Sequence, residues 1–413
     1  MANTAIPGAW KTVALLCVVG CLNYLDRIMV TTMRVSLIEA IPMTEAQFGL
    51  LTSVFLWVYG LLSPLAGFLA DRFNRSRVII GSLFLWSLVT WFTAQATTFN
   101  ELLFTHALMG ISEACYLPAA LALIMDYHRG NTRSMATAIH TGGVMIGQSL
   151  GFLGGWIAEH SKWNNAFNIF GLIGILYSVL LAFTLRDVPE MNVPVEEKAG
   201  TEKSSIRFVD AVRDLFSRKA FFFLLLFWGL LGIVGWLIFG WLPTYYREHF
   251  HLSQSVSGLY ATGYLYPISF FGSLAGGFLA DYFSRKYETA RIIIPAIALM
   301  IAAPVVFIAA NTDVVYVAIA GFMVYIFMRI FSDANMMPIL CMIADKRYRA
   351  TGYGILNMFA CIVGGVSVYA SGMLRDANIR MDNLFKSAAL LLLIGAFLLL
   401  LIQRQVKRQP KIM

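Results

Sequence analysis

Charged side chains are scarce in this chain. Asp, Glu, Lys and Arg together make up 13% of its 413 residues, about half of the roughly 25% found in soluble domains. So few charges cannot cover a water-facing surface of ordinary size, and a soluble globular protein is excluded. Cysteine is sparse too: Cys17, Cys21, Cys115, Cys341 and Cys361 lie in or beside apolar segments. They show neither metal-ligand spacing nor the pattern of a secreted disulfide framework, and they read as packing residues. No His/Cys metal set and no nucleophile triad occurs, so no enzyme activity, metal or cofactor is expected. The formal net charge is +8, but the basic residues form no continuous stripe of the kind that binds nucleic acid. They fall in clusters between apolar segments, and no nucleic-acid partner is expected.

What is abundant is apolar, at 59% of the chain. A bilayer core of about 30 Å needs roughly 20 apolar residues per helix. Twelve stretches meet this: 12–34, 46–70, 78–97, 101–127, 134–158, 165–185, 220–246, 254–281, 290–310, 313–343, 350–374 and 384–404. One lysine precedes the first stretch, without a small-residue cleavage site, so that stretch reads as a retained membrane helix and not as a signal peptide. Alternate loops differ in basic content. The side holding both termini carries 23 Lys and Arg, the opposite side six, and Arg27 and Arg329 fall inside helices. Both termini are therefore expected in the cytoplasm.

The pentapeptide Gly-Phe-Leu-Ala-Asp occurs twice, at Gly67 to Asp71 and at Gly277 to Asp281, which indicates two halves built alike, as in secondary transporters. The expected division is an N-terminal six-helix bundle (1–186), a cytoplasmic linker (187–219) and a C-terminal six-helix bundle with a tail (220–413). Within the linker, Ile206, Val209, Val212 and Phe216 recur at helical spacing with Arg207, Arg213 and Arg218 between or after them. That segment reads either as a surface-lying amphipathic helix or as a plain tether. Aligning the halves puts the fourth helix over the tenth. Glu113 lies five positions before Pro118, and Asp333 five positions before Pro338; matched prolines suggest matched bends around a central site.

The turn Gly67-Phe68-Leu69-Ala70-Asp71-Arg72-Phe73-Asn74-Arg75-Ser76-Arg77 resembles the signature of the major facilitator superfamily, and the resemblance covers essentially the whole chain. It implies an all-α membrane protein of twelve helices in two pseudo-symmetric bundles that rock around a midplane cavity. The turn then acts as a cytoplasmic latch, in which Gly67, Asp71, Arg72, Arg77, Asp126, Arg133 and Asp281 exchange partners or cap loops. Asn23-Tyr24-Leu25-Asp26-Arg27 and Gly110-Ile111-Ser112-Glu113-Ala114-Cys115-Tyr116-Leu117-Pro118-Ala119 look like the organic anion:cation symporter branch. The first of these, with Glu-Ala in the fourth helix, is also similar to Spinster-type lysolipid and sphingolipid transporters. Where many anion symporters carry arginine, this chain has His106. The Gly-Pro signature of drug antiporters is absent, since Gln148 follows Gly147.

Buried charges narrow the chemistry further. An ionised group at the centre of a membrane helix costs about 2.5–3.5 kcal/mol and should face a cavity or a partner. Asp26 lies roughly 20 Å along the first helix at 1.5 Å per residue, and Glu113 lies near the centre of the fourth. Desolvated carboxyls there can carry a proton, so Asp26 and Glu113, with His106 as a relay, are the expected coupling sites; permanent ion pairs are the alternative. Arg27, with a planar fork suited to a carboxylate, is expected to bind a substrate anion or to hold Glu113. Arg329 and Asp333, one turn apart, either neutralise each other or offer a second cation. Tyr24, Asn23, Tyr59, Gln148, Tyr264, Tyr266, Asn335 and Asn357 are expected to wall a polar cavity.

The sequence therefore reads as a proton-coupled importer of a small organic anion, a sugar acid such as a hexuronate, aldonate or sialic acid, with sodium in place of protons left open. The alternative is a Spinster-like lipid transporter. The expected setting is a monomer in a lipid bilayer, in a bacterial cytoplasmic membrane.

Overall fold

The computed structural model describes residues 6–128, 132–188 and 208–408, apart from the side chains of Gly67, Phe68, Ala70, Asp71, Lys346 and Arg408. Among them the chain is almost wholly helical. The first half runs α1 (Ala9–Thr32), α2 (Arg34–Ala40), α3 (Glu45–Arg72), α4 (Arg75–Thr93), α5 (Phe99–Ala114), α6 (Tyr116–Tyr127), α7 (Arg133–Leu150), α8 (Phe152–His160) and α9 (Trp163–Thr184). The second runs α10 (Phe208–Ser217), α11 (Lys219–Phe250), α12 (Gln254–Gly258), a π-helical turn (Leu259–Gly263), α13 (Leu265–Ser284), α14 (Ala290–Asn311), α15 (Val315–Ile343), α16 (Arg349–Asp376) and α17 (Met381–Arg408). Most of the expected linker, residues 189–207, lies outside the described residues.

Ten of the expected spans are helices long and apolar enough to cross a membrane. The other two, the fifth and the eighth, are broken: the fifth bends at Gly151 between α7 and α8, and the eighth passes through the π-helical turn before α13. Side-chain hydrogen bonds occupy both breaks. Thr32 Oγ1 donates to Gly151 O at 2.9 Å and accepts from Gly155 N–H at 3.0 Å, while Ser149 Oγ donates to Gly263 O at 3.1 Å. Freed backbone groups are thus bonded inside the protein rather than left facing lipid.

Local sequence explains where the helices stop. Thr44 and Thr98 each accept from the backbone N–H three residues on, Gln47 and Glu101 returning the bond as capping boxes. The fourth span, one of the ten, is interrupted for a single residue at Cys115, which keeps helical backbone angles between α5 and α6. Pro118 has no N–H for the Ala114 carbonyl, four residues back. The tenth span differs from expectation: α15 continues as one helix through Pro338. The matched prolines therefore yield an interruption only in the first half.

Within the halves, α1 packs on α7, α4 on α9, α11 on α16 and α14 on α17. The α1–α7 contact is at backbone distance, since a Cβ on Gly147 would lie 2.0 Å from Cys21 O. The glycine-rich fifth span serves this close crossing. Two seams join the halves, α3 along α16 and α7 against α13. Helix α10, at the end of the linker, buries Ala211 and Leu215 and exposes Phe208, Val209 and Phe216.

Candidate functional site

A cavity of about 620 Å³ lies between the halves. From the first half it is walled by Tyr24, Arg27, Tyr59 and Gln148, and from the second by Tyr266, Arg329, Asp333 and Asn357. All eight are among the residues expected from sequence. The cavity extends along α7 to Thr141 and along α16 to Gly354, towards the end of the molecule that bears the repeated pentapeptides. A Cβ on Gly354, in the cavity wall, would meet no neighbour within 4 Å, so there is open space beside it.

Arg27 is the centre of the first wall. Its Nη2 donates to Glu113 Oε2 at 2.8 Å, with Asn23 Oδ1 a longer acceptor at 3.4 Å. The guanidinium lies over three aromatic rings, Tyr24, Tyr59 and Phe55, at 4.5, 4.6 and 4.7 Å from their centroids. These rings hold the cation by its face and leave its edge for hydrogen bonds. Arg27 is 8% exposed and Glu113 1%. Glu113 sits behind Arg27, at the break between α5 and α6, and its Oε1 has no hydrogen-bond partner. Asp26 is turned the other way, towards α4, where Thr90 Oγ1 donates to its Oδ2 at 3.2 Å and its Oδ1 is unpartnered. Two buried carboxyls thus flank one arginine.

The second wall carries Arg329, whose Nη1 donates to Asp333 Oδ2 at 2.8 Å one turn along α15. Arg329 also lies over Phe239, 5.8 Å from its centroid.

Several expected residues do not reach the cavity. His106 is buried with Nδ1 2.8 Å from Leu102 O and its ring edge-on to Phe167; it does not line the cavity. Tyr264 is 45% exposed and packs against Tyr260 on the outside. Asn335 donates to Phe331 O at 2.9 Å and Gly276 O at 3.4 Å, tying α15 to α13. Asn23 supports Arg27 from behind. Conversely, Trp228, Trp236 and Phe239 of α11 line the cavity without having been singled out. Their spacing of eight and three residues puts them on one helical face, the available signal.

At the pentapeptide end, the described pairs lie within one half. Asp126 pairs with Arg75, and Asp281 pairs with Arg291 at 2.8 Å. Arg133 donates to the carbonyls of His128 and Met125, five and eight residues back. Arg349 does the same to Ala344 and Cys341, again five and eight back, so the two halves repeat this helix cap. Arg77 is exposed, its N–H bonded to Asn74 Oδ1 at 3.0 Å, and Arg72 is also exposed. The side chains of Gly67 and Asp71, the core of the expected latch, are outside the described residues.

The opposite end is tied across the halves. Arg375 grips Glu248 through two bonds of 2.7 and 2.9 Å and reaches Glu45 at 3.3 Å; Arg34 pairs with Glu45 and reaches Glu248 at 3.4 Å. Asp376 accepts from the N–H groups of Glu45 and Ala46, both at 2.9 Å, at the start of α3. The acid receives the free amides and favourable dipole of a helix N-terminus. No local spacing signals this cluster, since Arg34 and Arg375 lie at helix ends, at the start of α2 and in the last turn of α16, and their partners in the opposite half are far away in the chain.

Comparison with known proteins agrees with this architecture. The pattern of the Major Facilitator Superfamily matches residues 16–368. "Protein spinster" of Drosophila melanogaster is 26% identical over 307 residues, covering 71% of this chain and 49% of that protein. "Protein spinster homolog 1" of Bos taurus is 31% identical over 181 residues, 43% of this chain and 34% of that protein. The chain thus spans half or less of the length of these relatives. "Probable sulfoacetate transporter" of Cupriavidus necator is 25% identical over 92% of this chain and 90% of its own. Among solved structures, a bacterial homolog of the human lysosomal transporter Spinster, described as inward-facing and unoccupied, superposes with a TM-score of 0.81 at 22% identity. It covers 98% of this chain and 99% of its own. With two helical halves around a cavity, a repeated signature turn and a family match across most of its length, this chain belongs to the Major Facilitator Superfamily of membrane transporters, carriers and not enzymes.

Proposed function

We propose that the protein is a proton-coupled symporter that imports a small organic anion by alternating access, with sugar acids (hexuronates, aldonates, sialic acids) as its leading substrate class. It works in a bacterial cytoplasmic membrane, as a monomer with both termini in the cytoplasm. The observation that carries this reading is the arrangement of Arg27 between the cavity and Glu113, at 2.8 Å from the carboxylate, with Asp26 next in sequence. One arginine cannot balance two buried carboxylates, so the site is suited to holding a proton as well. When a proton joins Glu113, the Arg27 guanidinium is released to an incoming anion. When the anion leaves, Glu113 gives up the proton and takes Arg27 back. Proton and substrate affinity become linked through one side chain, as symport requires. Tyr24, Tyr59, Trp228 and Trp236 supply flat apolar faces for the carbon skeleton, and Gln148 and Asn357 supply hydrogen bonds to hydroxyls.

Transport in proteoliposomes tests the coupling. Glu113→Gln should abolish accumulation driven by a pH gradient while counterflow exchange persists; accumulation at the wild-type level by that variant would contradict the mechanism. The anion site is tested by thermal shift with sugar acids on wild type and Arg27→Ala, where a sugar-acid shift that survives the substitution would contradict it.

A second reading is favoured by one feature, the aromatic share of the wall, with Trp228, Trp236 and Phe239 on a single face of α11. An amphiphilic lipid anion would use these rings for its chain, and one relative in Xenopus tropicalis, 23% identical, is named a sphingosine-1-phosphate transporter. Competition by a lysolipid, with none by any sugar acid, would select this reading.

A further inference from the structure

The two arginines that line the cavity belong to different halves, Arg27 to the first and Arg329 to the second. Each is held by one carboxylate through one terminal nitrogen, Arg27 by Glu113 and Arg329 by Asp333, both at 2.8 Å. The two carboxylates occupy matching positions, each five residues before the proline of its membrane span. In each arginine the Nε is buried and has no hydrogen-bond partner. A guanidinium held at one corner keeps donors in fork geometry, the arrangement that takes an oxyanion by two parallel bonds. One such fork would suffice for a substrate with a single acidic group. Two, on opposite walls of one cavity, call for a substrate with an acidic group at each end.

We propose that Arg329 is a second oxyanion site and that the preferred substrate is a two-headed organic acid, a dicarboxylate or sulfocarboxylate, bridging Arg27 and Arg329. The inference rests on the anion-transport reading above and narrows its substrate class. A molecule bound to both halves also pulls them together, so each acidic group contributes to closure as well as to affinity. Asp333 keeps its hold on Arg329 through one terminal nitrogen while the second group takes the remaining donors, and a one-headed acid leaves those donors unfilled.

The test compares acids that share a carbon frame and differ by one carboxylate: glucarate against gluconate, and succinate against butyrate. Binding to the purified full-length protein is measured by titration calorimetry for wild type, Arg329→Gln and Arg27→Gln. A charge-assisted, two-pronged contact should favour the diacid of a pair by about tenfold or more. Arg329→Gln should bring the ratio of diacid to monoacid affinity down to about one, and a size-exclusion profile like that of the wild type shows that the variant is folded. Arg27→Gln should weaken both. Equal affinity for diacid and monoacid in wild type, with Arg27 still required, would overturn this inference and leave the anion reading standing. A diacid preference that survives Arg329→Gln would overturn it too. Absence of Arg27-dependent binding by any of the four acids would overturn both.

Discussion

Among the described residues, the ion pairs at the two ends of the molecule are of different kinds. At the end away from the pentapeptides, Arg34 and Glu45 of the first half interlock with Glu248 and Arg375 of the second, and Asp376 caps α3. At the pentapeptide end, the described ion pairs, Arg75–Asp126 and Arg291–Asp281, and the arginine caps at Arg133 and Arg349 stay inside one half. Bonds between the halves hold a mouth shut, and bonds within a half hold that bundle together. The cavity accordingly extends towards the pentapeptide end. In the alternating access proposed above, the first set breaks as the other end closes, and Asp71, Arg72 and Asp281 are the charges proposed to act there.

The largest effect is expected from Arg375→Ala, which removes the fork on Glu248 and the bond to Glu45. The cluster is intermediate in exposure, so the loss should be about 2 kcal/mol, between the exposed and buried ion-pair ranges. That corresponds to roughly a 30-fold shift towards a state parted at that end. Distances between spin labels on the loops after α2 and α11 would lengthen; an unchanged distribution would show that the ion cluster does not hold the mouth shut.

Next in size is Gly372→Val. A Cβ there would lie 2.4 Å from Glu45 O across the seam, and overpacking of this kind costs about 1–3 kcal/mol. The same label pair should move apart, by less than for Arg375→Ala. Arg349→Gln removes a cap on α15 within the second half, so it should lower thermal stability by about 1 kcal/mol and leave the label distances alone. The smallest effect belongs to Gly354→Ala at the open end, where an added Cβ meets no neighbour. It should raise stability slightly, up to about 1 kcal/mol through helix propensity. A large loss there would mean that this face is packed.

The fold was legible because bilayer thickness forces long apolar runs and duplication left the pentapeptide in both halves. The Arg27–Glu113 and Arg329–Asp333 pairs were legible for a related reason: a charge inside an apolar helix needs a partner, and few candidates exist. What sequence did not supply was facing. His106 shares a helix with Glu113 yet turns to Phe167, and Tyr264 points outwards while Tyr266, two residues on, lines the cavity. The local π-helical turn before Tyr264 alters the register on which a face would be counted. The inter-half cluster at the closed end joins residues more than 200 positions apart, from Arg34 and Glu45 to Glu248 and Arg375, so no local spacing announced it.

The central claim is that one proton and one anion exchange through Arg27 and Glu113. The most direct measurement is the affinity of an Arg27-dependent sugar acid as a function of pH, in wild type and in Glu113→Gln. One proton taken up per anion bound predicts an affinity that falls about tenfold per pH unit once Glu113 must be protonated for binding, and a flat profile in the variant. A flat profile in wild type, or the same slope in Glu113→Gln, would contradict the account.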